Sequence, residues 1–349
     1  MNLRKLILSL TVALGLAAPA LAQTTQTQAT VARVTGAATV TLPDGSTTPL
    51  TAGMKVAQGS TITTGADGDV YLESHAGYVT SIKHDSIVAV DEISVTTEGG
   101  QVKEERTMLD LKSGNLVAKL DPKKKSVNNY QVRTPKGVAA ARGTVFTVMF
   151  RGEKYSVAVV NGSVSIVPVN NYLGREDTRV LGGGTDSAST LNAGQVLTEG
   201  GSGVLQRGDF SVENSAANTE SDTRELLAAA VATVTLAAQN GIGGTTAAEA
   251  AAVAKAVFDV APGVAAQAGA LIKQSNDRSP PADAARASEV LNAVTSATPA
   301  ASAGFTSGNT TGTFTTTTTT TRIFGPTTTT TTVTTPQPID PSTISRSNE

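Results

Sequence analysis

RTPKGVAAARGTVFTVMF, residues 133–150, joins two extended segments through a loop of unusual chemistry. Tyr130 to Thr134 runs extended until Pro135–Lys136–Gly137 interrupts it, because proline cannot donate to a sheet ladder and fixes φ for a turn. Val138 and three alanines follow, then Arg142–Gly143–Thr144. Beyond them the pattern changes. Phe146, Val148 and Phe150 line one face, Val145 and Met149 the other, and only Thr147 interrupts. A strand apolar on both faces is buried on both faces, so this segment runs through the middle of a core. Gly143 supplies either a positive φ or a close backbone approach at its entrance. Ala139 to Ala141 are small where a neighbouring strand or layer passes closely. Arg142 has two open roles, a fork of donors pinning backbone carbonyls or a contact with a partner, and the first is favoured.

The surrounding chain is β in texture, with short alternating runs punctuated by glycine, asparagine and aspartate. Val31–Val34 meets Ala38–Leu42 across Thr35–Gly36, and Asp44–Gly45 closes the next turn, since glycine reaches positive φ without a Cβ clash. Val70 and Leu72 share one face while Tyr71 and Glu73 share the other, the pattern of a half-buried strand. Leu109–Leu120 carries a turn signal at Ser113–Gly114–Asn115. Tyr155–Val167 carries one at Asn161–Gly162, the clearest hairpin signal in the chain. An all-β domain without a long helix is expected.

These residues resemble a known family, the FecR-type domain. The resemblance rests on LTAGMKVAQGSTITTGADGDVYLES (50–74), VTSIKHDSIVAV (79–90), LDLKSGNLVAKL (109–120), YSVAVVNGSVSIV (155–167) and LNAGQVLTE (191–199). Its most specific part is YQVRTPKGVAAARGTVFTV (130–148), where Thr134–Pro135 is followed by Arg142–Gly143–Thr144 and an apolar strand. His84 stands where the family usually has proline. The resemblance implies an elongated, solenoid-like fold of stacked short strands. It gives the five signature residues Thr134, Pro135, Arg142, Gly143 and Thr144 a structural or partner-contact role. The family's best-known members relay an iron signal from an outer-membrane receptor to a cytoplasmic sigma factor, through an N-terminal cytoplasmic segment and a spanning helix. This chain has an export signal in that place.

That signal occupies residues 1–22. Arg4 and Lys5 form a positive start, Leu6–Ala18 an apolar core, and Ala20–Leu21–Ala22 a small-residue cleavage site before Gln23. Its removal takes away two positive charges, so the formal charge goes from -2 to -4. Mild acidity argues against nucleic acid, whose binding surfaces need a dense basic patch. With no cysteine in the chain, neither disulfides nor a lipid-modified cysteine can form.

Composition divides the remainder into a β domain (30–212), an alanine-rich helical region (221–299) and a threonine- and proline-rich tail (300–349). Asp222 and Glu225 suggest a capped helix ending at Asn240–Gly241, and Thr246 with Glu249 a capping box for a second, ending near Ala261. Val264–Gln274 forms a third. Pro280–Pro281 introduces a fourth, with Val290, Leu291 and Val294 on one side. Alanine buries little apolar area, so either these helices need the β domain, or copies of themselves, to stay folded, or they form a loosely structured helical spacer. The tail has too little apolar area to offset chain entropy and is expected to be disordered, with threonine's strand preference as the competing tendency.

Little in the chain has the spacing of chemistry. His75 and His84 have no partner at metal-ligand spacing. His84–Asp85–Ser86 has the residue types of a hydrolase triad, but neighbours on a strand point to opposite faces. Asp67–Gly68–Asp69 reads as a turn, since a calcium loop needs further oxygen ligands. Gly182–Gly184 and Gly200–Gly201 lack the strand-then-helix context of a phosphate cradle. Lys123–Lys125 is a basic loop. Without tryptophan, and with few aromatics, the chain offers a glycan no platform. The expectation is an exported, non-enzymatic FecR-domain protein without a cofactor, acting in the periplasm or at the cell surface as a binding or structural module. Its partner is a protein of the cell envelope, or further copies joined through the alanine-rich helices, with no transmembrane anchor and no nucleic acid. The alternative is a periplasmic partner in iron-responsive receptor signalling.

Overall fold

The computed structural model describes residues 22–168, 189–199, 205–209, 217–298, 315–322 and 325–332. The expected export signal therefore lies, except for Ala22, outside the described residues, as do Gly182–Gly184 and Gly200–Gly201. The first strands are β1 (Gln23–Gln26), β2 (Ala29–Thr35), β3 (Ala38–Thr41), β4 (Thr47–Pro49), β5 (Lys55–Val56) and β6 (Thr61–Thr64). Next come β7 (Asp69–Glu73), β8 (Tyr78–Ile82), β9 (Ile87–Glu98), β10 (Gln101–Leu120), β11 (Asn128–Thr134) and β12 (Gly137–Ala141). Then follow β13 (Val145–Arg151), β14 (Lys154–Asn161), β15 (Ser163–Pro168), β16 (Ser189–Asn192), β17 (Gln195–Glu199) and β18 (Leu205–Asp209).

They pair into two sheets that share β10. The outer sheet runs β4-β3-β6-β9-β10-β11-β12-β15-β16, with β1 also on β9. The middle sheet runs β5-β2-β7-β8-β10-β13-β14-β17-β18. Alternate side chains of both meet in one core that includes Val40, Ile62, Val88, Leu109 and Ile166 from the outer sheet and Val70, Ile82, Leu116, Val148 and Val157 from the middle one. Tyr130 and Phe146 touch edge-to-face across the gap, ring centroids 6.1 Å apart. The buried Tyr130 hydroxyl shares a 2.6 Å hydrogen bond with Thr80 on the opposing sheet, which satisfies a polar group that burial would otherwise penalise.

The chain is thus mainly β, with helices following. The solenoid-like stacking implied by the family resemblance is not what the ladders establish. Within the two sheets only β10 and β11 pair in parallel, and the other described ladders are antiparallel.

Several expected hairpins are instead places where the chain changes sheet. β2 and β3, flanking Gly36, pair with different partners, and so do β14 and β15, flanking Asn161–Gly162. The expected turn at Ser113–Gly114–Asn115 is a bend inside one continuous strand. Up to Ser113, β10 pairs with β9 in the outer sheet, and from Gly114 it pairs with β13 in the middle sheet. Gly114 makes the bend at φ +103°, with its Cα against Ser86, so that a Cβ would sit 2.1 Å from the Ser86 hydroxyl. A glycine that turns a corner and a glycine in a hairpin satisfy the same demand for positive φ, hence the confusion in sequence.

The strand read as apolar on both faces is buried from Val145 to Phe150. Its outer face, with Val79, Val117, Ala158, Val160 and Val196 of neighbouring strands, is covered by α1 (Ala217–Gln239). Every residue of α1 from Leu226 to Gln239 is buried, because the sheet lies on one side and α2 (Ala247–Phe258), α3 (Val264–Arg278) and α4 (Ala284–Ala297) on the other. An all-round apolar helix with small side chains suits such a central position.

The Thr246–Glu249 capping box is present, and Gly241 follows α1 at φ +65°. The Asp222 start is corrected: the helix begins five residues earlier, at Ala217. Asp222 and Glu225 reach the sheet instead, at 3.3 Å from Lys154 and 2.8 Å from Arg151. Tyr71, expected on the wet face of a half-buried strand, is fully buried for the same reason, since helices cover that face. In the tail expected to be disordered, β19 (Thr315–Arg322) and β20 (Gly325–Thr332) pair as a separate antiparallel ladder, in line with threonine's β-branched preference for extended chain.

Replacing Gly114 by alanine should lower stability by about 3 kcal/mol, because it combines a strained φ with overlap onto Ser86. Gly45, at φ +84° with nothing within 4 Å of where a Cβ would stand, isolates the backbone term. Its alanine variant should cost only about 1 kcal/mol. Urea unfolding of both variants checks the difference.

Candidate functional site

The signature residues fall at the two ends of β12, Thr134 and Pro135 at the turn before it and Arg142, Gly143 and Thr144 beyond its last residue. Thr134 closes the β11–β12 hairpin around Pro135–Lys136: its hydroxyl donates to the Gly137 carbonyl at 3.0 Å and accepts from the Gly137 amide at 3.2 Å. Thr144 sits where the chain leaves the outer sheet for the middle one. It is buried, and its hydroxyl lies 3.2 Å from the Arg142 carbonyl and 3.0 Å from the Ser163 carbonyl, donating to this pair. Gly143 has φ +63°, and a Cβ there would lie 2.7 Å from Pro122 Cα and 3.2 Å from Lys125 Cβ. Its bareness lets the 142–144 corner press against the 121–125 turn.

Arg142 departs from expectation. Its side chain is exposed and forms no hydrogen bond or ion pair among the described residues, so it pins no carbonyl cluster. The hydroxyl of Thr144 makes the carbonyl contacts instead, and the guanidinium faces solvent. Only the fork's donor count was visible in sequence, not its direction.

Below that corner lies a buried polar group. His75 is buried, its Nε2 donates to the Arg106 carbonyl at 3.1 Å, and its ring packs edge-on against Tyr78. Lys124 reaches Glu105 at 2.8 Å and lies 5.4 Å from the centre of the Tyr78 ring. Burial pushes the Tyr78 hydroxyl far up, with Glu105 adding to it, so it stays protonated. Burial likewise holds His75 below its usual value of 6.5, against the opposing pull of the Arg106 carbonyl and Glu105.

A second polar group lies under α3, and sequence reading missed it because its members alternate along separate strands. Arg33, 5% exposed, donates through Nη2 to the Ser275 carbonyl at 3.1 Å and the Ser279 carbonyl at 2.5 Å. A cation at the carbonyl end of a helix also meets its dipole favourably. Lys83 bonds to Asp69 at 2.7 Å and lies 5.8 Å from the Tyr71 ring centre. Burial alone would lower the Lys83 pKa, but Asp69 and Tyr71 together outweigh it, so the pKa is raised and the ammonium is held charged. A cleft of about 270 Å³ opens beside these groups, lined among others by Asp69, Lys83, His84, Asn115, Ser275 and Arg278. Arg278 closes its rim by donating to the Asp67 carbonyl at 2.8 Å.

The cleft that His84 lines does not include Arg142. His84 Nδ1 lies 3.1 Å from its exposed neighbour Asp85, while the Ser86 hydroxyl is directed to the His84 and Asn115 carbonyls. The three do not converge as nucleophile, base and orienter. Among the described residues no group of three or more histidine, aspartate or glutamate side chains is placed to hold a metal. No described helix is long and apolar enough to cross a membrane.

A family model described as FecR protein matches residues 60–165, so this chain carries a FecR-type domain. That span runs from the start of β6 into β15 and includes all five signature residues. No curated protein sequence matches the chain. Two crystal structures of a candidate anti-sigma factor from Parabacteroides distasonis are similar in part. The first, at 1.65 Å resolution, has 12% sequence identity and a TM-score of 0.32, over 43% of this chain and 59% of that one. The second, at 2.50 Å, has 12% identity and a TM-score of 0.27, over 54% and 60%. This chain thus matches only about three fifths of the length of either.

The buried neutral imidazole has a consequence for stability. Its folded pKa is depressed, so the unfolded chain binds the proton more readily. The stabilisation is complete above the unfolded value near 6.5 and is lost as pH falls through the folded one. The urea midpoint should fall between about pH 7 and about pH 5. His75→Gln, which keeps a donor for the Arg106 carbonyl, should flatten that slope.

Proposed function

We propose that this chain is a non-enzymatic FecR-domain protein of the cell envelope, exported to the periplasm or the cell surface, where it binds or organises a protein partner. The observation that carries this reading is the asymmetry of its FecR-type domain. Helices cover the free face of the middle sheet, whereas the free face of the outer sheet is broad and polar. On that outer face Arg133 pairs with Asp91, Arg106 with Glu92 at 2.9 Å, and Gln131 with Asn129 at 2.9 Å. Half-exposed, mutually paired polar groups on an open sheet face suit contact with another macromolecule better than enclosure of a small substrate. The signature residues then divide by role: Thr134, Pro135, Gly143 and Thr144 shape the chain, and Arg142 meets a partner.

A second reading is a periplasmic partner of an outer-membrane receptor in iron-responsive signalling, favoured by the family. Its physical mode is strand addition at an open edge of the outer sheet. β4 ends that sheet but is short and contains Pro49, features that discourage pairing. β16 is its last strand at the other side among the described residues.

Fractionation of a Gram-negative host, with mass spectrometry of the mature N-terminus, tests the shared premise. The expected result is a chain starting at Gln23 in the periplasmic or surface fraction. A cytoplasmic chain retaining Met1 contradicts both readings, and crosslinking to an outer-membrane receptor selects the second.

A further inference from the structure

We infer that the corner carrying Arg142, Lys123 and Lys125 is a docking point for a carboxylate-rich segment of a protein partner. The inference deepens the binding role proposed above and rests on it.

Two segments distant in sequence build the corner. The 121–125 turn brings Lys123 and Lys125, and the outer-to-middle crossing brings Arg142. Gly143 holds them together, since its bare Cα is what permits contact with Pro122 and Lys125. All three side chains are exposed, and none has an ion pair or side-chain hydrogen bond among the described residues.

Nearby charges are otherwise engaged. Lys124 is spent on Glu105 at 2.8 Å, and Glu249 on Lys119 at 3.4 Å. The Asp121 carboxylate accepts from the Lys123 amide at 2.9 Å and offsets part of the positive charge, which leaves an excess at the surface.

The chemistry favours carboxylates on a protein over a phosphate-bearing membrane. Arginine offers a rigid fork that matches a carboxylate, with two flexible ammonium groups beside it. Membrane recognition by charge usually takes clusters of about 4–8 basic residues, and this corner has fewer, with Asp121 and Glu249 at its margin. A short acidic segment can engage the three cations while avoiding both carboxylates.

Hexaglutamate peptide titrated into the isotope-labelled full chain, followed by amide NMR at about 50 mM salt, where screening is weak, tests this. Saturable shifts should centre on residues 121–127 and 141–144. The triple variant Lys123→Ala, Lys125→Ala, Arg142→Ala should bind about tenfold more weakly or worse, and Lys112→Ala, an exposed lysine elsewhere, should bind as the parent does. Arg142→Lys should recover only part of the affinity, since it keeps the charge and loses the fork. Shifts centred elsewhere, absence of saturation, or an unaffected triple variant would overturn the inference. So would binding to phosphatidylglycerol vesicles without binding to hexaglutamate, which would assign the corner to a membrane. If the mature chain is exported but the titration fails, only this corner is refuted; cytoplasmic retention refutes the envelope role whatever the peptide does.

Discussion

Strand β13 has no side that can face water. Phe146, Val148 and Phe150 fill the gap between the sheets, and Val145 and Met149 point the other way. Each large side chain left exposed would forfeit about 1.5–3 kcal/mol, so the second face requires a cover. Helix α1 supplies it. Alanine and valine side chains bring the helix close to the sheet, and α2, α3 and α4 then bury its far side. Polar ties complete the junction where apolar packing ends: Arg33 on the end of α3, Arg151 with Glu225, and Lys154 with Asp222. From one two-faced strand the arrangement follows as outer sheet, middle sheet and helices.

The corners are the other constraint. A sandwich built from short strands must repeatedly pass its chain between layers, and here it does so beside glycines. At Gly114 a single long strand serves both sheets, joining their hydrogen-bond ladders within one backbone. At Gly143 the same absence of a side chain lets two loops meet, so that the segment carrying Arg142 lies against the turn carrying Lys123 and Lys125. The shape requirement and the charged surface thus come from the same few residues, which gives a physical reason for an arginine and a glycine to stand side by side in the signature.

Much of this was legible in the residues and some was not. The double burial of β13, the turn at Pro135–Lys136, the Thr246–Glu249 capping box and the end of α1 at Asn240–Gly241 follow from local rules, and local rules suffice for them. Strand partners do not. Alternation reports which face a side chain takes, but not which sheet the strand joins, so Asn161–Gly162 looked like a hairpin and proved to be a crossing. Asp222 looked like a cap because its spacing to Glu225 fits one; the sheet beneath the helix offered both residues cations instead. Arg142 looked like a carbonyl anchor, a task that falls to the hydroxyl of Thr144. The polar group of Arg33, Asp69, Tyr71 and Lys83 could not be read at all, because its members come from separate strands and touch only after those strands pair.

A helical region that seals one face of the domain leaves the other faces and the rim exposed, where the paired polar sheet and the basic corner lie. The helices are part of the domain's core rather than a spacer. Ending the chain at residue 212 and measuring urea unfolding, dye binding and oligomeric state is the most direct test. With α1 gone, Tyr71, Val79, Val117, Met149 and Val160 would be uncovered. The truncated chain should then bind a hydrophobic dye, associate, and unfold at clearly lower urea than the full chain. A monomer with no dye binding and an unchanged midpoint would contradict the account, because it would mean that the middle sheet needs no cover.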